Sequence, residues 1–213
     1  MRQLLKHDLD LCVESLPVYV TRVLKEFPGQ AFVAGGYIRS VISRMPIKDV
    51  DIFSMSPVVA EKVAYSIVGG NGEMLYETEN AFTVKDSRPI VQSIRRWSGE
   101  TITGCLNTFD ITTAKAAIWW ERGEWFGLCH ENYYAHLMAK RAVYETPSQD
   151  IDAGGSLLRM IALAKRGYDI DEASLSECLY RLVMSLEWNK FSQANGLVAT
   201  QMIREKFIGR GES

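Results

Sequence analysis

The segment that most constrains this chain runs from Ala31-Phe32-Val33 through Ala34-Gly35-Gly36-Tyr37-Ile38-Arg39 to Asp49-Val50-Asp51-Ile52-Phe53. An apolar run closes on a glycine pair, a short basic helix is expected next, and a second apolar run carries two acids one residue apart. Side chains alternate between the faces of an extended strand, so Asp49 and Asp51 share one face while Val50 and Ile52 point to the core. Two carboxylates on one face form a hard oxygen site suited to Mg²⁺. Glycines at a helix start let a phosphate come close to backbone N–H groups, and Arg39 brings a planar donor fork to the same place. A half-buried strand with a wet polar face would alternate in the same way. The glycine pair and Arg39 are what favour a pocket for a nucleoside triphosphate and its metals.

The Gly-Gly, Arg and Asp-x-Asp order resembles the signature of the DNA polymerase beta-like nucleotidyltransferase superfamily. It looks most like the head and neck of tRNA CCA-adding enzymes and bacterial poly(A) polymerases, in the compact form of phage or bacterial members. The resemblance implies Gly35, Gly36 and Arg39 on the phosphates and Asp49 and Asp51 on the metals. It also implies two Mg²⁺ ions, with Mn²⁺ as a substitute.

Two-metal phosphoryl transfer calls for a further carboxylate to help bring in the attacking hydroxyl. Asp110, in Leu106-Asn107-Thr108-Phe109-Asp110-Ile111-Thr112, is the candidate. The stretch resembles the family's Arg-Asp-Phe-Thr segment, although here Phe109 precedes the acid and no arginine adjoins it. Asp86, in a turn-like Lys85-Asp86-Ser87-Arg88-Pro89, and the loop acids Asp150 and Asp152 are weaker alternatives. The second resemblance is Ser156-Leu157-Leu158-Arg159-Met160-Ile161-Ala162-Leu163-Ala164-Lys165-Arg166-Gly167-Tyr168, similar to the neck helix of the same enzymes. It implies that Arg159 contacts the nucleotide, while Ser156 and Ala162 stand where the family has arginines. Leu158, Ile161 and Ala164 are expected to form that helix's packed face. The family's Glu-Asp-x-x-Arg nucleotide-selecting motif has no match, and little length is left for a tRNA-gripping body.

Composition narrows the rest. An apolar fraction of 47% is that of an ordinary globular protein, and no apolar run is long enough to span a bilayer. The charged start Met1 to Asp8 has no signal-peptide h-region, so the expected location is cytoplasmic. Cys12, Cys105, Cys129 and Cys178 form no Cys-x-x-Cys pair and read as reduced thiols, and Cys129-His130 with His136 lacks a second ligand pair for zinc. A net charge of −2 argues against a strongly basic nucleic-acid binder. Local patches at Arg88, Arg95 and Arg96, at Lys140-Arg141 and at Lys165-Arg166 remain, each read more readily as solvated charge.

Along the chain, apolar spacing predicts helix over residues 8–26, with Pro17 bending or starting one, and a helix at Tyr37 to Arg44. Another is expected from Ser56-Pro57, with Val58, Val59, Val63, Ile67 and Val68 on its apolar face, ending at Gly69-Gly70-Asn71-Gly72. Strands are expected at Met74–Glu77, Ala81–Lys85, Ile90–Arg96 and Phe109–Trp120. The last meets Trp125-Phe126-Gly127-Leu128 across a four-residue connection of hairpin type. From His130 the pattern is helical, with Leu175, Leu179, Leu182, Val183 and Leu186 on one later face.

The reading is therefore α+β: a mixed nucleotidyltransferase palm sheet with flanking helices in a head of residues 1–129, then a helical neck-like domain of residues 130–213. The expected activity is transfer of a nucleoside monophosphate to an acceptor hydroxyl with release of pyrophosphate. By the resemblance the acceptor is an RNA or tRNA-like 3′ end. A protein or small-molecule hydroxyl is the alternative acceptor, and a catalytically silent interaction module of the same fold is the other alternative. No membrane partner is expected, and oligomeric state stays open.

Overall fold

The structure, a computed structural model, describes residues 1–70, 72–85, 89–96, 100–147 and 153–207. Asp86, Arg88, Asn71, Asp150 and Asp152 lie outside the described residues.

The element order is β1 (Arg2–Gln3), α1 (Lys6–Glu14), α2 (Val18–Glu26), β2 (Ala31–Ala34), α3 (Gly36–Ile42), β3 (Asp49–Ser54), α4 (Pro57–Gly69), β4 (Glu73–Glu77), β5 (Ala81–Lys85) and β6 (Ile90–Ile94). Then come α5 (Ile102–Asn107), a 3₁₀ turn (Thr112–Ala114), β7 (Ala116–Glu121) and β8 (Glu124–Cys129). The helices α6 (Tyr133–Met138), α7 (Ala153–Ala164), α8 (Glu172–Met184), α9 (Trp188–Phe191) and α10 (Gly196–Phe207) complete the chain. The strands form one mixed sheet in the order β1-β8-β7-β2-β3-β6-β5-β4. Within it β3 and β6 run parallel, because α4 and then the antiparallel β4 and β5 lie between them in the chain. The expected mixed palm sheet with flanking helices and following helices is the fold observed.

The central strands are apolar on both faces, and each face has its own core. Ala31, Val33, Val50 and Ile52 join a large cluster with Val20, Leu24, Ile38 and Ile67 from the covering helices. Phe32, Ala34 and Phe53 point the other way, toward Cys105 and Leu106 of α5 and Trp119 of β7. The large cluster also takes in Tyr133, Tyr144, Met160 and Cys178, so residues on both sides of position 130 share one core.

Several local expectations change. The first helical stretch is two helices, and Pro17 is the N-cap of the second, in keeping with a residue that lacks an N–H. The α4 start is as expected: the Ser56 hydroxyl accepts from Val59 N at 3.3 Å with proline at the first helical position. Its buried face is Ala60, Val63, Ala64 and Ile67, while Val58 is exposed. The hairpin connection is shorter than four residues, because Glu121 still pairs with Glu124. Arg122 and Gly123 alone make the turn with φ of 52° and 86°, the sign pattern of a type I′ turn that suits strand twist.

The expected strand from Phe109 begins only at Ala116. Thr101 caps α5 by accepting from Gly104 N at 2.9 Å, and Ile102, Cys105 and Leu106 at helical spacing bury its inner face. From there the backbone pairs away from the sheet: Asp110 O accepts from Glu145 N at 2.9 Å, and Ile111 bridges Tyr144. The later helices are turned in part relative to expectation, with Leu163, Leu182 and Leu186 buried as expected. In α7, Ser156, Met160 and Leu163 are buried while Leu158 and Ile161 are exposed. In α8, Ser174, Cys178, Arg181 and Leu182 face inward and Leu175, Leu179 and Val183 outward.

Candidate active site

A cavity of about 360 Å³ opens between the sheet and α7, and five stretches of chain together with Pro147 line it. Gly35, Gly36 and Arg39 come from the β2–α3 junction, Asp51 and Phe53 from β3, and Gln92 and Ile94 from β6. Phe109 and Asp110 come from the loop after α5, and Ser156, Arg159, Leu163 and Arg166 from α7 and its end. Strand alternation explains the second group. Val50 and Ile52 are fully buried in the large core, which puts Asp49, Asp51 and Phe53 on the opposite face. The parallel register then sets Gln92 beside Asp51 and Ile94 beside Phe53.

The glycine pair does two different jobs. Gly35 has φ 81° and ψ −133°, a backbone conformation that glycine alone adopts without strain, and its N–H donates to Ala116 O at 3.1 Å. Its amide is thus committed to the end of the β2–β7 ladder, and its contribution is the sharp exit from β2. At Gly36 an added Cβ would lie 3.3 Å from an Arg39 guanidinium nitrogen. The missing side chain is what lets the guanidinium fold back over the helix start.

Asp51 is the most perturbed acid of the site. Its Oδ1 is buried with no hydrogen-bond partner. Burial first, and the neighbouring charge of Asp49 second, push its carboxyl up to about 7. A divalent cation would pair the orphaned oxygen and offset both causes, so Asp51 with Asp49 on the same strand face fits such an ion. Asp49 itself is exposed and is not among the cavity's lining residues.

Asp110 is buried, and Arg159 holds it in a two-pronged ion pair. Arg159 Nε donates to Asp110 Oδ2 at 3.0 Å, and an Nη donates to the same oxygen at 2.5 Å. A longer contact from that Nη reaches the Ser156 hydroxyl at 3.4 Å. Asp110 and Arg159, expected to serve metal and nucleotide separately, therefore meet each other. Among the described residues no group of three or more His, Cys, Asp or Glu side chains is arranged to hold a metal ion. Asp51 keeps a buried oxygen without a partner, and the third acid is engaged by an arginine.

Sequence reasoning did not single out Gln92, Phe109 or Arg166 for the site. Gln92 sits in an unremarked strand; Phe109 packs on Phe53 with ring centroids 5.2 Å apart. Arg166 had been grouped with Lys165 as surface charge. The face formed by 156, 159, 163 and 166, at successive helical turns, was the available signal. The other basic patches are tied down in part: Arg95 pairs with Glu77 at 2.8 Å and lies over the Phe82 ring, and Arg141 pairs with Asp171 at 3.1 Å. No disulfide joins the four cysteines, which are all buried.

Solved structures of similar fold include CCA-adding enzymes and a tRNA nucleotidyltransferase. The Thermotoga maritima CCA-adding enzyme complexed with tRNA matches at TM-score 0.59 and 16% identity, over 95% of this chain and 50% of that one. A CCA-adding enzyme with CTP matches at TM-score 0.58 and 15% identity, over 92% and 49%. A tRNA nucleotidyltransferase with a primer tRNA and an ATP analogue matches at 0.55 and 13%, over 87% and 55%. The chain thus spans about half the length of these proteins, and at identities this low the likeness shows the fold alone, one of nucleotidyltransferase type. The chain belongs to the Gabija anti-defense 2 family, whose sequence model matches residues 4–140. No curated protein matches the sequence. Among the described residues no helix is long and apolar enough to cross a membrane.

Proposed function

We propose that this protein is a nucleotidyltransferase that moves a nucleoside monophosphate from a triphosphate to an acceptor hydroxyl, releasing pyrophosphate. One observation carries the reading: the Gly35-Gly36 junction, Arg39, Asp51, Asp110 and Arg159, far apart in sequence, line one cavity. Gly36 leaves room for the Arg39 guanidinium, whose planar fork suits phosphate oxygens. Phe53, Ile94 and Phe109 supply an apolar wall on which a base can rest. Asp49 and Asp51 would hold a divalent cation, with Asp110 as the third acid of the site. When bound, the ion screens the phosphates and lowers the pKa of the acceptor hydroxyl. What the chain's own side chains contribute is orientation and fixed charge around the reacting phosphate, which is where most of the rate comes from in such transfers.

An RNA 3′ end, in the manner of a tRNA, is the first acceptor, because solved structures of this fold include complexes with tRNA. A second reading draws on the family's anti-defense description: the acceptor is a hydroxyl on a protein or small molecule of the opposed defence. A silent module that acts by binding alone is the rival to both. Calorimetric titration of the protein with each nucleoside triphosphate, with and without Mg²⁺, separates them. Saturable heat with at least one triphosphate, lost on chelation and lost in Asp51→Asn, is the expected result. Absence of heat with every triphosphate favours the silent module.

A further inference from the structure

Three guanidiniums line the cavity, and they are not equivalent. Arg159 is neutralised by Asp110. Arg39 and Arg166 have no ion pair and no side-chain hydrogen bond among the described residues, although Arg39 is only 8% exposed. Both line the same cavity. Burial makes Arg39 harder to keep protonated and the charge of Arg166 acts the same way, while Tyr168, Tyr133 and the exposed Asp49 carboxylate act against it. Two like charges in one recess favour an anion that enters between them.

The placement of Arg166 is built into the end of α7. Gly167 turns the backbone with φ 81°, its N–H bonds Ala164 O at 2.9 Å, and Tyr168 N bonds Leu163 O at 3.1 Å. These are the two bonds of a Schellman-type stop, and buried Tyr168 anchors it. Arg166 is therefore held on a fixed turn, on the same helix face as Arg159 and Leu163. A guanidinium presented in this way loses little freedom on binding a phosphate.

We propose that Arg166 is a binding residue that takes, together with Arg39, the terminal phosphates of a nucleoside triphosphate, and so makes the site select triphosphates over diphosphates and monophosphates. This assignment rests on the proposed function and deepens it. The acid end of the cavity, at Asp51 and Gln92, faces the reacting phosphate, and the paired arginines receive the tail. The charge of the tail matches the pair: the β- and γ-phosphates of a triphosphate bring anionic oxygens to both forks, and a monophosphate at the acid end reaches neither.

The test is calorimetric titration of the full chain in Mg²⁺ with α,β-methylene analogues of the four triphosphates, then the diphosphate and monophosphate of the preferred base, and inorganic triphosphate as competitor. Arg166→Gln, at a half-exposed position, is expected to lose about 10- to 100-fold in triphosphate affinity, the range for one charge-assisted contact. Diphosphate affinity should change less than about threefold by the same reasoning, and inorganic triphosphate should no longer compete. Arg166→Lys, which keeps the charge without the fork, should recover part of the loss. If the wild type binds triphosphates and Arg166→Gln binds and discriminates equally well, the assignment of Arg166 is wrong while the proposed function stands. If the wild type binds no nucleotide, the proposed function fails and takes the assignment with it.

Discussion

Asp51→Asn is expected to abolish nucleotide transfer, by about 10³-fold or more, the scale on which removing one charged group that stabilises a transition state acts. The same change should stabilise the ion-free protein. Asp51 carries a buried Oδ1 with no partner, and its carboxyl is pushed up to about 7. In the unfolded chain an aspartate ionises near the ordinary carboxylate value, so between about pH 4 and 7 the unfolded state releases a proton that the folded state keeps. Stability of the chelated wild type therefore falls as pH rises through that window, and stays low above it. Asn has no such ionisation. Asp51→Asn should melt with the wild type near pH 4 and above it by a few degrees at pH 8, as a gain of about 1–2 kcal/mol implies for a chain of this size. Loss of activity with gain of stability is the pattern of a group kept for function. Melting curves at the two pH values in chelator check it. A variant that is both inactive and less stable at pH 8 would mark Asp51 as a structural residue.

The second large effect belongs to the Asp110–Arg159 pair. Asp110 is buried, and its side chain depends on Arg159 Nε and Nη for its charge-assisted hydrogen bonds. Arg159→Ala leaves that carboxylate uncompensated and should cost about 1–3 kcal/mol, kept to this range because Arg159 is half exposed. Asp110→Asn alone should cost less, and the double variant Asp110→Asn/Arg159→Ala less than the sum, since the second change removes the orphan left by the first. Denaturant unfolding of the four proteins closes the cycle. Additive losses would show that the ion pair contributes nothing of its own. In transfer assays Asp110→Asn should be as inactive as Asp51→Asn if Asp110 is the third acid, whereas a purely structural partner of Arg159 would leave measurable turnover.

Which parts of this arrangement were legible in the sequence follows from how local they are. The β2–α3–β3 unit was, because a glycine pair and strict strand alternation act over a few residues: Val50 and Ile52 are in the core, and Asp51 faces the cavity. Asp110 was found as a residue and misread as backbone, since β-prone neighbours say nothing of the pairing with Glu145 and Tyr144 that draws this stretch away from the sheet. Its partner Arg159 lies 49 residues further on, beyond the reach of any periodicity argument. The rotation of α7 had the same cause. Leu158 and Ile161 are as apolar as Met160 and Leu163, and it is packing with distant parts of the large core, Cys178 of α8 among them, that decides which stripe turns inward. Arg166 went unassigned because a charge at a helix end is ordinarily solvated.

The account stands or falls on group transfer, and labelled triphosphates report it directly. The protein is incubated with Mg²⁺, a cellular RNA, protein or small-molecule pool, and each triphosphate labelled at either the α- or the γ-phosphorus. The proposed chemistry predicts that α-label enters one pool while γ-label leaves only as pyrophosphate, and that Asp51→Asn transfers neither. Label entering from the γ-position, or no α-label in any pool with any triphosphate, would contradict it.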